Sequence, residues 1–215
     1  MPPILSFIGY SESGKTTLLE GVIAELKRRG YKTAAIKHAH ETFEIEKQDS
    51  SSWHLGQAGA VAVAVSSPQE FAVFRKTDLE LTPQEISRYI EEDYDLLLTE
   101  GFKQSSNMKV EVHRKEQGNR LLALPDELLA LVSDELLDID KPQFKRDDVK
   151  GLTDLIEKWL LEQPKEKVEL TVNGVSIPLN QFATDIIAKT LTGMASSLKG
   201  VNEIYSLRVS LRRKL

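Results

Sequence analysis

The chain opens on an apolar run, Ile4-Leu5-Ser6-Phe7-Ile8, which predicts a buried strand. Beyond a polar, glycine-bounded stretch, Leu18, Leu19, Val22, Ile23 and Leu26 recur at helical spacing. They predict a helix from Lys15 to about Arg29, with Lys27, Arg28 and Arg29 in the dipole's negative last turn and Gly30 as its stop. Thr33-Ala34-Ala35-Ile36-Lys37 predicts a second strand. Residues 38–50 are polar and dense in ionisable groups, which predicts a loop. Ser50-Ser51-Ser52 then offers caps for a short helix from Trp53 to Ala58, closed by Gly59. Ala60-Val61-Ala62-Val63-Ala64-Val65 is wholly apolar and predicts a strand buried on both faces. Phe71 to Arg75 predicts another after a turn at 66–70. Thr82, Pro83 and Glu85 spell a capping box that starts a helix ending near Glu92. Strands follow at 95–102, 109–113 and 128–134, the start of the last reading equally as helix. Leu152, Leu155, Ile156, Trp159 and Leu160 stripe a further helix behind Asp147-Asp148.

Past the polar hinge Gln163-Pro164-Lys165-Glu166-Lys167 the pattern changes. Val168, Leu170 and Val172 alternate, Asn173-Gly174 signals a hairpin, and Val175, Ile177 and Leu179 alternate back. Asn180 caps a helix with Phe182, Ile186, Leu191, Met194 and Leu198 on one face. Tyr205, Leu207, Val209 and Leu211 predict a last strand. Two domains are expected, 1–163 and a small α+β extension at 164–215 whose one helix covers one sheet face. The basic end Arg212-Arg213-Lys214 reads as a solvated tail.

The polar stretch between the first strand and helix carries the chemistry. Gly9-Tyr10-Ser11-Glu12-Ser13-Gly14-Lys15-Thr16-Thr17 fits G-x-x-x-x-G-K-S/T in the strand–loop–helix context that a phosphate cradle requires. Gly9 and Gly14 let backbone N–H groups turn inward, and the helix N-terminus favours an anion. Lys15 brings charge to the β- and γ-phosphates, and the Thr16 hydroxyl suits Mg²⁺. The strand Asp95-Leu96-Leu97-Leu98-Thr99-Glu100 delivers an acid at its carboxyl end, where ligands of open α/β sheets bind, so Glu100 is the expected metal or water partner. Asp95, at the other end of that strand, is the alternative. Asp49 is a second candidate acid. His38 and His40 alternate, which allows a metal pair without an evident third ligand, and phosphate contact or solvation is the favoured reading. For the base, Asn-Lys-x-Asp is absent; Arg75-Lys76-Thr77-Asp78 is a partial likeness, and Asp134 is a candidate by position. The expected class is α/β, a three-layer P-loop NTPase fold with a mostly parallel sheet.

Composition narrows the picture. The 215 residues contain no cysteine, which removes disulfides, thiolate metal sites and a catalytic thiol. A net charge of −5 argues against a general nucleic-acid binder. No apolar run approaches the ~18 residues that a membrane span needs. Because the first strand runs straight into the P-loop, a cleaved signal peptide is not expected, and a cytoplasmic location is.

The P-loop, Ile36-Lys37-His38-Ala39-His40, Asp49-Ser50, Ala58-Gly59-Ala60 and Thr99-Glu100-Gly101-Phe102-Lys103 occur together and in order. This combination resembles the molybdopterin-guanine dinucleotide biosynthesis adaptor (MobB) family over residues 3 to 163, and Phe144 to Val149 resembles that family's late loop. The resemblance implies a GTP- and Mg²⁺-binding adaptor, at most a weak GTPase and often a homodimer. Such a protein assists the guanylyltransferase that joins GMP to molybdopterin, with molybdopterin-bearing proteins as further partners. It implies that Gly9, Ser11, Glu12, Ser13, Gly14, Lys15, Thr16 and Thr17 hold the triphosphate. Lys37 and His38 would lie alongside, with Thr16, Asp49 and Glu100 at the metal and water. Ala39 and Glu41 depart from the family pattern, as does the short segment between Glu46 and Asp49. The competing class is an autonomous small-molecule kinase. Such an enzyme normally closes an arginine-bearing lid over the transferred phosphoryl group, whereas the arginines here are scattered along the chain.

Overall fold

The computed structural model describes residues 2–39, 49–90, 94–115, 120–164, 168, 170–173, 175–204 and 207–211. Residues 40–48, and with them His40 and most of the loop after the second strand, lie outside the described set, as does the predicted end of the helix near Glu92. By its internal contacts the chain divides into one unit spanning 2–161 and another from Glu162 onward.

The first unit is built on a six-stranded sheet. Its strands are β1 (Ile4–Gly9), β2 (Thr33–Lys37), β5 (Leu96–Glu100), β6 (Met108–His113), β7 (Leu128–Ser133) and β8 (Gln143–Phe144). They lie in the order β2-β5-β1-β6-β7-β8, with every neighbouring pair parallel. Parallel strands need crossovers, and α1 (Lys15–Arg28) and α4 (Val149–Leu161) supply cover for one face. Leu18, Leu19, Val22 and Leu26 of α1 and Leu152 and Ile156 of α4 pack in one cluster with Leu5, Phe7, Leu96, Leu98, Val110, Val112, Ala130 and Val132. On the other face Ile8, Ala123 and Leu128 form a smaller cluster. The α1 end follows the sequence expectation, with Gly30 at φ 93°, its N–H donating to Lys27 O and that of Tyr31 to Leu26 O.

Several expectations are corrected. The apolar run at 60–65 is not a strand of the main sheet. It supplies β3 (Ala62–Ser66), which pairs antiparallel with β4 (Phe71–Arg75) in a separate hairpin. Of β3 only Val63 is buried, near Gly56 of α2 (Ser51–Gln57). α3 (Pro83–Ser87) has the predicted capping box but stops at Ser87. The sheet also gains β8, a two-residue strand without a sequence signal. The ambiguous start at 128 resolves as a 3₁₀ turn, Pro125–Glu127, running into β7.

The polar face of β6 is buried. Lys109, Glu111 and His113 alternate with valines, yet all three are buried. The segment at 121–123 lies against Glu111, and its backbone needs the carboxylate: the N–H groups of Leu122 and Ala123 donate to Glu111 at 2.9–3.0 Å. Lys109 Nζ donates to Ser105 O, Asn107 O and Glu127 Oε2. Lys109 and Glu111 therefore have hydrogen-bond partners, the condition under which burial of charge is tolerated, whereas neither ring nitrogen of the buried His113 has one among the described residues.

In the second unit β9 (Leu170–Val172) and β10 (Val175–Ile177) form the predicted hairpin, with Asn173 at φ 52°. α5 (Gln181–Ser196) is capped by Asn180, whose Oδ1 accepts from the Ala183 N–H. Two expectations fail here. Residues 207–211 are not strand, and α5 has no buried residue, with Phe182 74% and Met194 64% exposed. A hairpin this short offers too little apolar area to cover a four-turn helix.

Candidate nucleotide site

The loop between β1 and α1 has the backbone of an anion cradle. Glu12 (φ 59°) and Gly14 (φ 94°) are left-handed, which turns successive N–H groups toward one side. Gly9 permits the closure. A Cβ there would stand 2.5 Å from Val112 O and 2.7 Å from Ser13 Oγ. Ser13 is buried, and among the described residues its hydroxyl has no partner. An orphaned hydroxyl inside an anion cradle is a feature that a bound phosphate oxygen would satisfy.

The acid arrives from β5. Thr16 Oγ1 lies 3.0 Å from both carboxylate oxygens of Glu100. The strand places Glu100 here because it runs parallel beside β1, with Phe7 opposite Glu100. Gly101 then turns the chain at φ 102°, where a Cβ would meet that of His38 at 2.7 Å, while its N–H donates to Phe7 O. Asp95 sits at the opposite edge, its carboxylate accepting from the Lys32 N–H at 2.8 Å.

Cations converge on the same point. Lys15 Nζ folds back to donate to Tyr10 O at 2.5 Å. Its pKa is lowered, first by burial, and further by Lys103 and Lys37, while Glu100 opposes them. Lys103 stands over the Tyr10 ring, and Lys37 lies opposite Glu100 in the β2–β5 register. His38 stacks on Phe102, pairs with Glu80 and donates its backbone N–H to Glu100 O. Asp49 (φ 65°) is exposed at the entrance to α2, and the carboxylate that meets Thr16 is that of Glu100. Ser11 and Thr17 flank the loop in exposed positions.

Sequence reasoning missed three basic residues here. Arg114 Nε donates to Ser13 O at 3.3 Å, and Arg146 Nη1 comes 3.9 Å from a Cβ position at Gly14. Lys103 was visible as a neighbour of Glu100. The two arginines, scattered in sequence, meet at the P-loop because β6 and β8 end at the same sheet edge as β1.

A strand, a left-handed glycine loop and a helix, with a hydroxyl–carboxylate pair at the neighbouring strand end, define a protein of the P-loop NTPase-like α/β class. The match to known proteins is narrower. The family model for molybdopterin guanine dinucleotide synthesis protein B, MobB, matches residues 4–134, so the chain belongs to the MobB family. The molybdopterin-guanine dinucleotide biosynthesis adapter protein of Haemophilus influenzae is 34% identical over 162 residues, covering 74% of this chain and 89% of that one. A crystal structure of molybdopterin-guanine biosynthesis protein B superposes with TM-score 0.56 at 30% identity, over 73% of this chain and 99% of that chain. The putative adapter protein of Methanocaldococcus jannaschii is 26% identical over 97% of both chains, an alignment that extends into the C-terminal unit. No described helix is long and apolar enough to cross a membrane.

Proposed function

We propose that this MobB-family adapter holds GTP with Mg²⁺ at the P-loop and serves the guanylyltransferase that joins GMP to molybdopterin. The observation that carries the reading is the Thr16–Glu100 pair at 3.0 Å beside Lys15 and the orphaned Ser13 hydroxyl. A hydroxyl and a carboxylate presented together, with cations around them, is the donor set of a magnesium–triphosphate site. On this reading the backbone from Gly9 to Thr17, with Ser11, Glu12, Ser13 and Gly14 in the loop, wraps the phosphates. Lys15 then leaves Tyr10 O for a phosphate oxygen, and Lys37 and His38 line the approach. Thr16 and Glu100 hold the metal, and Asp49 orients water from the loop before α2. Bound Mg²⁺ would neutralise charge on the β- and γ-phosphate oxygens. Hydrolysis is slow at most, and the protein presents the nucleotide in the cytoplasm to its partner. A second copy covers the apolar outer face of the β3–β4 hairpin. The unit beyond residue 163 is a separate domain, 164–215.

The test is calorimetric titration of GTP into the full chain and into Lys15→Ala. Removing a charge-assisted phosphate contact should weaken binding on the order of 100-fold, with the melting curve unchanged. Equal affinity in the two proteins would overturn the reading. So would ATP binding accompanied by phosphoryl transfer to a small acceptor.

A further inference from the structure

Four exposed residues of α5 follow one another at steps of four, three and four: Phe182, Ile186, Lys189 and Gly193. This is the spacing of a coiled-coil seam, a row of positions that a second helix fills. The opposite row, Ala183, Ile187, Leu191 and Ala195, is half-buried. α5 thus has partial cover on one side and none on the other. Of its 16 residues only Asp185 and Lys189 are charged, and a helix apolar on two sides is ordinarily buried on both.

Gly193 marks the point of closest approach. Glycine weakens an exposed helix interior relative to alanine. Its own chain gives nothing in return, since among the described residues no atom lies within 4 Å of a Cβ placed there. The notch is open to a side chain from elsewhere, and the same row carries a suitable one three turns earlier in Phe182, 74% exposed. The charges fit as well. Asp185 Oδ1 accepts from Gln181 Nε2 at 2.7 Å, and its second oxygen can take another donor. Lys189, exposed one turn on, is a donor of opposite charge.

We infer that α5 pairs antiparallel with α5 of a second copy of this chain, about a two-fold axis between Ile187 and Ala188, with Phe182 of each helix seated over Gly193 of the other. The inference rests on the second copy proposed above and adds where the C-terminal units of the two chains meet. In a two-fold contact residue i meets j and j meets i. Centred there, the row matches itself, Phe182 opposite Gly193 and Ile186 opposite Lys189. The Lys189 stem lies along the partner's Ile186 while its ammonium reaches the partner's Asp185. A parallel pair would instead set ring on ring at Phe182, leave a gap at Gly193 and bring two Lys189 charges together. A seam of about three turns buries less than the roughly 1,000 Å² of a stable interface. It therefore forms between chains already joined elsewhere.

The chain contains no cysteine, so single introduced thiols report which residues meet. The experiment mixes full-length Phe182→Cys with full-length Gly193→Cys in air-saturated buffer and follows disulfide formation by non-reducing electrophoresis. Cysteines bridge only when their Cα atoms come within about 7 Å. Antiparallel pairing brings position 182 of one chain to position 193 of the other, whereas two copies of residue 182 stay about 16 Å apart along the axis. The mixture should therefore cross-link on the order of 10-fold faster than either variant alone. The second Phe182–Gly193 contact of the mixed pair is left intact. Lys189→Asp in both chains should slow the reaction about 3- to 10-fold, and adding Asp185→Lys should restore it. α5 has no buried residue, so these variants should melt with the wild type. A dimer by sedimentation velocity whose mixture cross-links no faster than the single variants would overturn the seam, assign that face of α5 to a different protein and leave the second copy on the hairpin standing. Phe182→Cys cross-linking to itself would likewise overturn the seam alone. A chain that sediments as a monomer and does not cross-link would overturn both.

Discussion

Two apolar runs in this chain look alike and end in opposite environments. Leu96-Leu97-Leu98 of β5 is fully buried. Ala62 to Val65 of β3, with its partner β4, leaves Val65 44%, Phe71 68% and Val73 53% exposed. What separates them is pairing. β5 lies between β1 and β2, hydrogen-bonded along both edges, and α1 and α4 cover the face of the sheet that Leu96 and Leu98 share. Among the described residues β3 has its backbone paired by β4 alone, and one of its faces rests near α2 at Val63 while Phe71 and Val73 lie on the other. An apolar run states that cover is needed. It does not state whether the cover comes from the same chain.

The largest break in that comparison is a truncation on each side of it. Leu98→Ala empties a site that cannot collapse and should cost about 2–5 kcal/mol in urea unfolding. Phe71→Ser removes more apolar area, yet in the monomer it should stay within about 0.5 kcal/mol, because that side chain is already in water. Equal losses in the two variants would mean that the hairpin is covered by its own chain after all. Phe71→Ser with Val73→Ser also tests the proposed second copy by sedimentation velocity. The wild type should sediment as a dimer and the double variant as a monomer. A dimer surviving in the variant would move the interface elsewhere.

The same distinction explains what could be read from the sequence. The P-loop was legible because its chemistry is local: the strand, Gly9, Gly14, Lys15, Thr16 and the helix stripe occupy 25 consecutive positions or so, and Glu100 carries its own strand with it. Caps at Thr82 and Asn180 were legible for the same reason, since each is complete within four residues. Long-range cover was not. Glu111 reads as the solvent side of a strand until Leu122 and Ala123 bring N–H groups to it. The meeting of Arg114 and Arg146 at the P-loop depends on where β6 and β8 end, and β8 is too short for any periodicity. The last predicted strand alternates well in sequence, yet residues 207–211 found no edge to pair with among the described residues. Local pattern cannot supply a partner.

The smallest effect concerns how the main sheet's cover is held, which the hairpin lacks. Arg29 at the end of α1 joins Glu25 on its own helix and Asp154 and Glu157 on α4, at 2.6–2.9 Å. Tyr31 also donates to Glu157. Hydrogen bonds from Arg28 and Arg29 hold the Glu25 carboxyl well down, from 4.5 to about 2, and Arg29 lowers Glu157 likewise. A carboxyl whose folded pKa lies below its unfolded one binds fewer protons when folded. Its contribution is therefore complete above the unfolded value and disappears as pH falls through the folded one. For Glu25 that window runs from about 4.5 down to about 2. The network lies at the surface, with Asp154 exposed and Glu25, Arg29 and Glu157 half-buried, so screening keeps the effect to a few degrees of melting temperature. The wild type should lose those degrees progressively as pH falls from about 4.5 to about 2, more in low salt than in high salt. Arg29→Met should melt lower at neutral pH and show a flatter acid profile, because the carboxyls it held return toward their ordinary values. Hydrogen exchange at pH 3 locates the loosening. Amides of α1 and α4 should lose protection while those of β3 and β4 keep theirs, since the hairpin's order never depended on that layer. Loss that begins in the hairpin would mean that acid acts through some other set of carboxylates.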